Sequence, residues 1–140
     1  MNKEIILDRF KELEDNLAIL EKLSKIEKEK FISSPETYKL AERCLQLSIE
    51  CVLDVTHYIL AQKNLPRAEG GEAIIALGEH RIIPMEFTKE IRPMAGFRNI
   101  LVHEYLKIDR KRVYEYTGKI EDFRKFERYI LEFLEKTEEG

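Results

Sequence analysis

Residues 34–62 read SPETYKLAERCLQLSIECVLDVTHYILAQ. Tyr38, Ala41, Leu45, Ser48, Val52, Val55 and Ile59 recur there at spacings of three and four, which gathers them into one stripe of an α-helix. Leu40, Cys44, Leu47 and Cys51 form a second stripe on the same helix. Two apolar faces require burial on two sides, so this helix is either the centre of a bundle or meets another subunit with its second face. Its start signal is Ser33 with Glu36 three residues on, a capping box, and Pro35 suits the first turn. The helix is expected to begin near Ser34 and to end at Asn64, Leu65 and Pro66.

The same period extends in both directions from that helix. Upstream, Ile6, Phe10, Leu13, Leu17 and Leu20 form an apolar stripe, with Glu12, Glu14 and Asp15 on a solvated face. Downstream, Gly70 and Gly71 mark a loop before a short helix from Glu72 to Leu77, with His80 just beyond its end. From Met85 the pattern resumes through Phe87, Ile91, Met94 or Ala95, Leu101 and Val102, and Pro93 should kink that helix or delay its start. Asp109 is a good N-cap for a last helix whose core face is Val113, Tyr116, Ile120, Phe123, Phe126, Ile130 and Leu134. Gly118 is expected to weaken that helix without ending it. No stretch alternates with period two and no internal repeat is present, so the fold class is all-α. The expected architecture is an up-and-down bundle of four long helices and one short one, in a single domain over 1–140.

Composition bounds the function. A chain of 140 residues, 44% hydrophobic and 36% charged with only 6 Gly and 4 Pro, has the material for one packed, loop-poor domain. A net charge of -3 excludes a generic polyanion binder, so any nucleic-acid contact must come from a local basic patch. No uncharged run approaches the roughly 20 residues that span a bilayer, and charges interrupt the opening MNKEIILDRF. A cytoplasmic protein without a membrane partner is expected. Cys44 and Cys51 stand about 10.5 Å apart along one helix, too far to bridge, and there is no CxxC or zinc-ligand spacing. Buried, inert thiols and no metal site are expected.

Polar residues that do not read as helix surface concentrate in residues 96–105, GFRNILVHEY. Arg98, Asn99, His103 and Tyr105 stand there among apolar neighbours, which is costly unless each has a partner or a ligand. Asn99 and His103 are i,i+4 neighbours, whereas Arg98 and Tyr105 share another face roughly 120° away. One straight helix does not gather all four. Either the helix loosens after Val102 or a second copy of the chain completes the site. The bland alternative pairs Arg98 with a carboxylate such as Asp54 and His103 with a backbone carbonyl. His57, three residues after Asp54, reads as a partly buried structural histidine that Asp54 orients.

The span 92–112 carries Arg92, Arg98, Lys107, Arg110, Lys111 and Arg112 against only Glu104 and Asp109. The last three cations fall in the first turn of a helix, where the macrodipole favours anions by ~0.3–1 kcal/mol per charge. Lys107, Arg110, Lys111 and Arg112 there suit a phosphate held by N–H groups and guanidinium forks, or else form a solvated charge run that Asp109 partly offsets.

The run from Gly96 to Tyr105, followed by Ile108, Asp109, Val113 and Tyr114, resembles the signature of the HepT-like toxins of the HEPN superfamily. That motif is Arg, a polar residue, three more, then His-x-Tyr. The similarity extends to Val52–Leu60 and to the Gly70–Ile83 region, and so covers roughly Ser34 to Leu134. The resemblance implies a helical dimer with both motifs facing a shared cleft. It also implies a metal-independent ribonuclease without a cofactor, encoded beside a minimal nucleotidyltransferase antitoxin that silences it by transferring AMP to the motif tyrosine, here Tyr105.

The residue types fit that chemistry. An imidazole, here that of His103, can take the proton of a ribose 2′-OH, while the guanidinium of Arg98 holds the phosphate as negative charge builds on it. Attack by the 2′-oxygen would leave a 2′,3′-cyclic phosphate. The acid that protonates the leaving 5′-oxygen is left open between His103 of the second subunit and Tyr105. Asn99 would orient the imidazole or bind phosphate. The rival class is a non-enzymatic dimeric module that binds a nucleotidyltransferase or a nucleotide and uses Arg98 only as an anion ligand.

Overall fold

The computed structural model describes residues 1–103 and 107–139. Eight helices are present among them: α1 Lys3–Ser24, α2 Lys28–Ser33, α3 Pro35–Gln62, α4 Gly70–Glu79, α5 Met85–Ile91, α6 Pro93–His103, α7 Arg110–Thr117 and α8 Ile120–Glu139. No strand occurs among the described residues, so the all-α bundle is the fold observed.

The centre of the bundle is α3, which packs against α1, α2, α4, α6, α7 and α8. All seven residues of its first apolar stripe are buried. Cys44 and Cys51 of the second stripe are buried too, Leu47 is half-buried, and only Leu40 stands out at 44% exposure. Of the two readings of this helix, the bundle centre is realised, and its own chain covers most of both faces. Although α3 is long and apolar enough to cross a bilayer, its apolar side chains are spent on this core. Burial pushes the Cys51 thiol up to about 12, helped by Glu12, Asp54 and Glu50, so it stays protonated and inert.

Three boundaries depart from the sequence reading. The cap of α3 is one residue later than expected: Ser34 Oγ accepts from Thr37 N, while Ser33 Oγ donates to the carbonyl of Lys30 and closes α2, a helix the sequence pattern did not reveal. Gly70 and Gly71 are not a loop but the first turn of α4, which Gly70 enters at φ 53, a left-handed value that glycine adopts without a Cβ clash. At Pro93, by contrast, the expected late start is seen: α5 ends at Ile91 and Pro93 opens α6, as a residue with no N–H to donate should.

The last helix is also divided, against expectation, at Gly118. Thr117 Oγ1 donates to the Tyr114 carbonyl, and the Gly118 and Lys119 amides close tight turns on Glu115 and Tyr116, so α7 ends and α8 starts at Ile120. The expected four long helices are therefore three long ones, α1, α3 and α8, plus shorter segments. Val113, Tyr116, Phe123, Phe126, Ile130 and Leu134 still face the core on both sides of the break.

Candidate functional site

The break at Arg92–Pro93 redirects the chain so that α6 lies along α3 and beside α4. Phe97 fixes its rotation, because it is 1% exposed and stacks on Tyr116 of α7 with ring centroids 4.0 Å apart and planes 11° from parallel. With Phe97 turned inward, Arg98 and Asn99 point towards a groove of about 890 Å³ between α3, α4 and α6. Its floor is built of small residues, Gly70, Gly71, Ala95 and Gly96, which leave the volume open.

Arg98 Nη2 lies 3.1 Å from Glu50 Oε1, with 30% of each side chain exposed. The same carboxylate oxygen accepts from Gln46 Nε2 at 3.2 Å. On its other terminal nitrogen, Arg98 donates from Nη1 to Asn99 Oδ1 at 3.3 Å, while Nε is buried without a hydrogen-bond partner. The bland alternative offered Arg98 a carboxylate such as Asp54, and it does have one, but in Glu50: Asp54 faces Arg9 of α1 at 3.7 Å, and its carboxyl is pushed up by burial and by Glu50, with Arg9 opposing. His57 does line the groove, but its Nε2 faces Glu69 at 3.7 Å and makes no hydrogen bond.

Signals for Glu50 and Gln46 were in the sequence and went unread. Glu50 stands between Ile49 and Cys51, as anomalous among its neighbours as Arg98 is among its own, and Gln46 precedes it at i,i+4. Charge also distinguishes this groove. Glu50, Asp54, Glu69 and Glu72 line it against Arg92 and Arg98, so electrostatics does not draw a polyanion into its depth.

His103 is the last residue of α6 and is exposed. It lies roughly 140° around the helix from Arg98 and does not line the groove. One chain therefore does not bring the two together; Asn99 shares a helix face with His103 at i,i+4 and accepts from Arg98 Nη1 through its Oδ1. Tyr105 lies outside the described residues, as does Glu104.

The basic segment follows on this side of the molecule. Asp109 caps α7 as expected, its Oδ1 accepting from Lys111 N at 2.9 Å. Arg110 lies over the Tyr38 ring at 4.2 Å and Arg112 over the Phe97 ring at 5.0 Å. Each such contact contributes ~0.5–1 kcal/mol at an exposed position, which matches what the helix dipole costs those cations. Their placement is thus accounted for by ring contacts and the Asp109 cap. Lys107, Arg110, Lys111 and Arg112 all remain exposed beyond α6. Among the described residues no three His, Cys, Asp or Glu side chains converge as metal ligands.

Residues 13–130, which include α6, the motif and the basic segment, match the family described as ribonuclease HepT-like. The chain belongs to this family. A HepT-like relative, the tRNA nuclease HepT of Aphanizomenon flos-aquae (strain 2012/KM1/D3), is 38% identical over 96 residues, 68% of this chain. The match spans 65% of that relative's length. Two solved structures share the HepT-like chain's fold. One is the cytosolic protein of unknown function YutE from Bacillus subtilis, with a TM-score of 0.85 and 19% identity over 98% of this chain and 93% of that one. The other is the tri-AMPylated Shewanella oneidensis HEPN toxin in complex with an MNT antitoxin, with a TM-score of 0.81 and 21% identity over 93% of this chain and 98% of that one. At these identities the likeness is one of fold.

Proposed function

We propose that the protein is a cytoplasmic, metal-independent endoribonuclease toxin of a toxin–antitoxin pair, acting as a homodimer. The observation that carries this reading is the family match over residues 13–130, which contains the whole Arg98-x4-His103 motif. In this reading His103 is the general base for the 2′-OH and Arg98 holds the scissile phosphate. The product is a 2′,3′-cyclic phosphate. The angular separation of Arg98 and His103 on α6 supports a cleft to which two copies contribute. RNA reaches it along the exposed Lys107, Arg110, Lys111 and Arg112. The name of the Aphanizomenon relative makes tRNA the first substrate to try. A cognate minimal nucleotidyltransferase silences the toxin by transferring AMP to Tyr105, in line with the AMPylated state of the Shewanella neighbour.

A second reading, a non-enzymatic module that binds a nucleotidyltransferase or a nucleotide, has one observation in its favour: Arg98 already has a carboxylate partner in Glu50. Purified protein incubated with tRNA in EDTA separates the two. Cleavage with cyclic-phosphate ends that is lost in Arg98→Ala and in His103→Ala is expected. Equal cleavage by wild type and His103→Ala, once contaminating nuclease is excluded, would remove the nuclease reading. Arg98→Ala should also melt within a few degrees of wild type, since its ion pair is partly exposed.

A further inference from the structure

Arginine carries five N–H donors, and their use at Arg98 can be counted. One Nη2 hydrogen goes to Glu50 Oε1 at 3.1 Å and one Nη1 hydrogen to Asn99 Oδ1 at 3.3 Å. The second hydrogen on each terminal nitrogen is left over, and so is the N–H of Nε, which is buried and has no partner. The guanidinium is thus held at both ends with donors to spare. An anion can take the two spare Nη hydrogens without displacing Glu50, while the buried Nε–H stays out of its reach.

Glu50 is itself held. Its Oε1 accepts from Gln46 Nε2 at 3.2 Å, one turn earlier on α3, and α3 is the bundle's central helix. The chain Gln46, Glu50, Arg98, Asn99 therefore ties the guanidinium on α6 to the central helix of the fold. Glu50 and Arg98 stand 48 residues apart in sequence, and each has 30% of its side chain exposed. The contact is shielded enough to keep its geometry and open enough to admit a ligand on the other side.

We propose that Glu50, braced by Gln46, is a positioning residue that fixes the plane and direction of the Arg98 guanidinium, so that its two spare Nη hydrogens are presented to a phosphate. This deepens the reading of Arg98 as the phosphate ligand and rests on it. Glu50 acts through Arg98 and does not touch substrate. A flexible guanidinium bound to nothing would have to be ordered at each turnover, whereas a held one is preorganised for the charge that develops on the phosphate.

The test uses the full chain with Glu50→Ala, Glu50→Gln and Gln46→Ala, melting each to confirm folding. On tRNA, Glu50→Ala should lower kcat about ten- to hundredfold, the usual cost of losing a supporting partner, with KM nearly unchanged. Glu50→Gln should recover most of that loss, because its amide oxygen still accepts from Nη2, and Gln46→Ala should lose less. Unchanged or raised kcat in a folded Glu50→Ala would overturn the proposal, since Glu50 would then be idle or a competitor for Arg98. If Glu50→Ala does not fold, Gln46→Ala decides in the same way. A second readout is independent of cleavage: NMR of the Arg98 guanidinium, assigned with Arg98→Lys, should show slow rotation about the Cζ–Nη bonds in wild type and faster rotation in Gln46→Ala and Glu50→Ala. Equal mobility in all of them overturns the clamp. Slow rotation in a wild type that cleaves no RNA removes the nuclease reading and leaves the clamp standing.

Discussion

Glu127 of α8 is half-buried against α1, where it shares a hydrogen bond with Glu14, and burial together with that carboxylate pushes its carboxyl from 4.5 up to about 8. Arg124, one turn earlier, opposes the shift but divides its charge between Glu14 and Glu21, both at 3.6 Å. One proton therefore sits between the two carboxyls near neutrality, on Glu127, the more buried of them. A carboxyl whose value is raised on folding binds a proton as the chain folds. Its contribution to stability is complete below about 4.5, falls as pH rises, and is gone above about 8.

A shift of this size at a fully buried site would be worth several kcal/mol. At a half-exposed pair, solvent screening reduces it to about 1–2 kcal/mol, or about 3–8 °C in Tm for a domain of this length. Glu127→Gln keeps the shape, keeps a donor towards Glu14 and cannot ionise. Thermal melts of both proteins from pH 4 to pH 9 should therefore converge at the acid end and diverge steadily to pH 8, with the variant the more stable. Parallel melting curves across that window would refute the shared proton, and a variant less stable at every pH would show that Glu127 is charged and paired instead.

Gly78→Ala should destabilise by about 1–3 kcal/mol despite alanine's better helix propensity, because its Cβ would meet Met85 Cα at 2.9 Å and Thr88 Oγ1 at 3.0 Å across α4 and α5; chemical denaturation checks it. Sedimentation at micromolar concentration should show a dimer, and a compact monomer would remove the two-copy cleft. Incubation with a cognate nucleotidyltransferase and ATP should add AMP to the chain, with the added mass absent in Tyr105→Phe and the modified protein inactive on RNA. Addition at Tyr114 or Tyr116 instead would show the acceptor to be misassigned; the Tyr114 hydroxyl donates to the Ile26 carbonyl at 2.7 Å, and Tyr116 is 6% exposed and stacked on Phe97.

The helical stripes were legible because burial enforces a period, and every residue assigned to the apolar face of α1 and to the first face of α3 is buried. Breaks were less legible because they depend on single hydrogen bonds. At Ser33 and Ser34 two adjacent hydroxyls offer the same cap, and only the chain's path assigns one to close α2 and the other to open α3. At Gly118 the helix propensity cost is ~1 kcal/mol, too little to predict a stop, but the Thr117 hydroxyl bonded to the Tyr114 carbonyl at 2.6 Å adds a second weakening in the same turn.

Arg98 was legible as a polar group that needs a partner, and a carboxylate such as Asp54 was one reading, but which carboxylate of α3 it meets was not legible, and the reason is geometric. Asp54 and Glu50 are i,i+4 on α3 and both carboxylates line the groove, so sequence alone offers them equally. What separates them lies on a third helix: Arg9 of α1 takes Asp54, leaving Glu50 to Arg98. Gln46 then adds a donor to the carboxylate that must stay in place. The basic segment shows the reverse case. Cations at the start of α7 looked like an anion site because the helix dipole disfavours them, but the Tyr38 and Phe97 rings beneath Arg110 and Arg112 offset that cost without a ligand. Phe97 thereby does two things at once: its inward face stacks on Tyr116 and sets the rotation of α6, which aims Arg98 at the groove, and its ring holds Arg112 on the outside. A Phe97→Leu substitution would keep the burial and lose both, so it should disturb Arg98 and the basic segment together, whereas a change at Arg112 alone should leave the groove as it is.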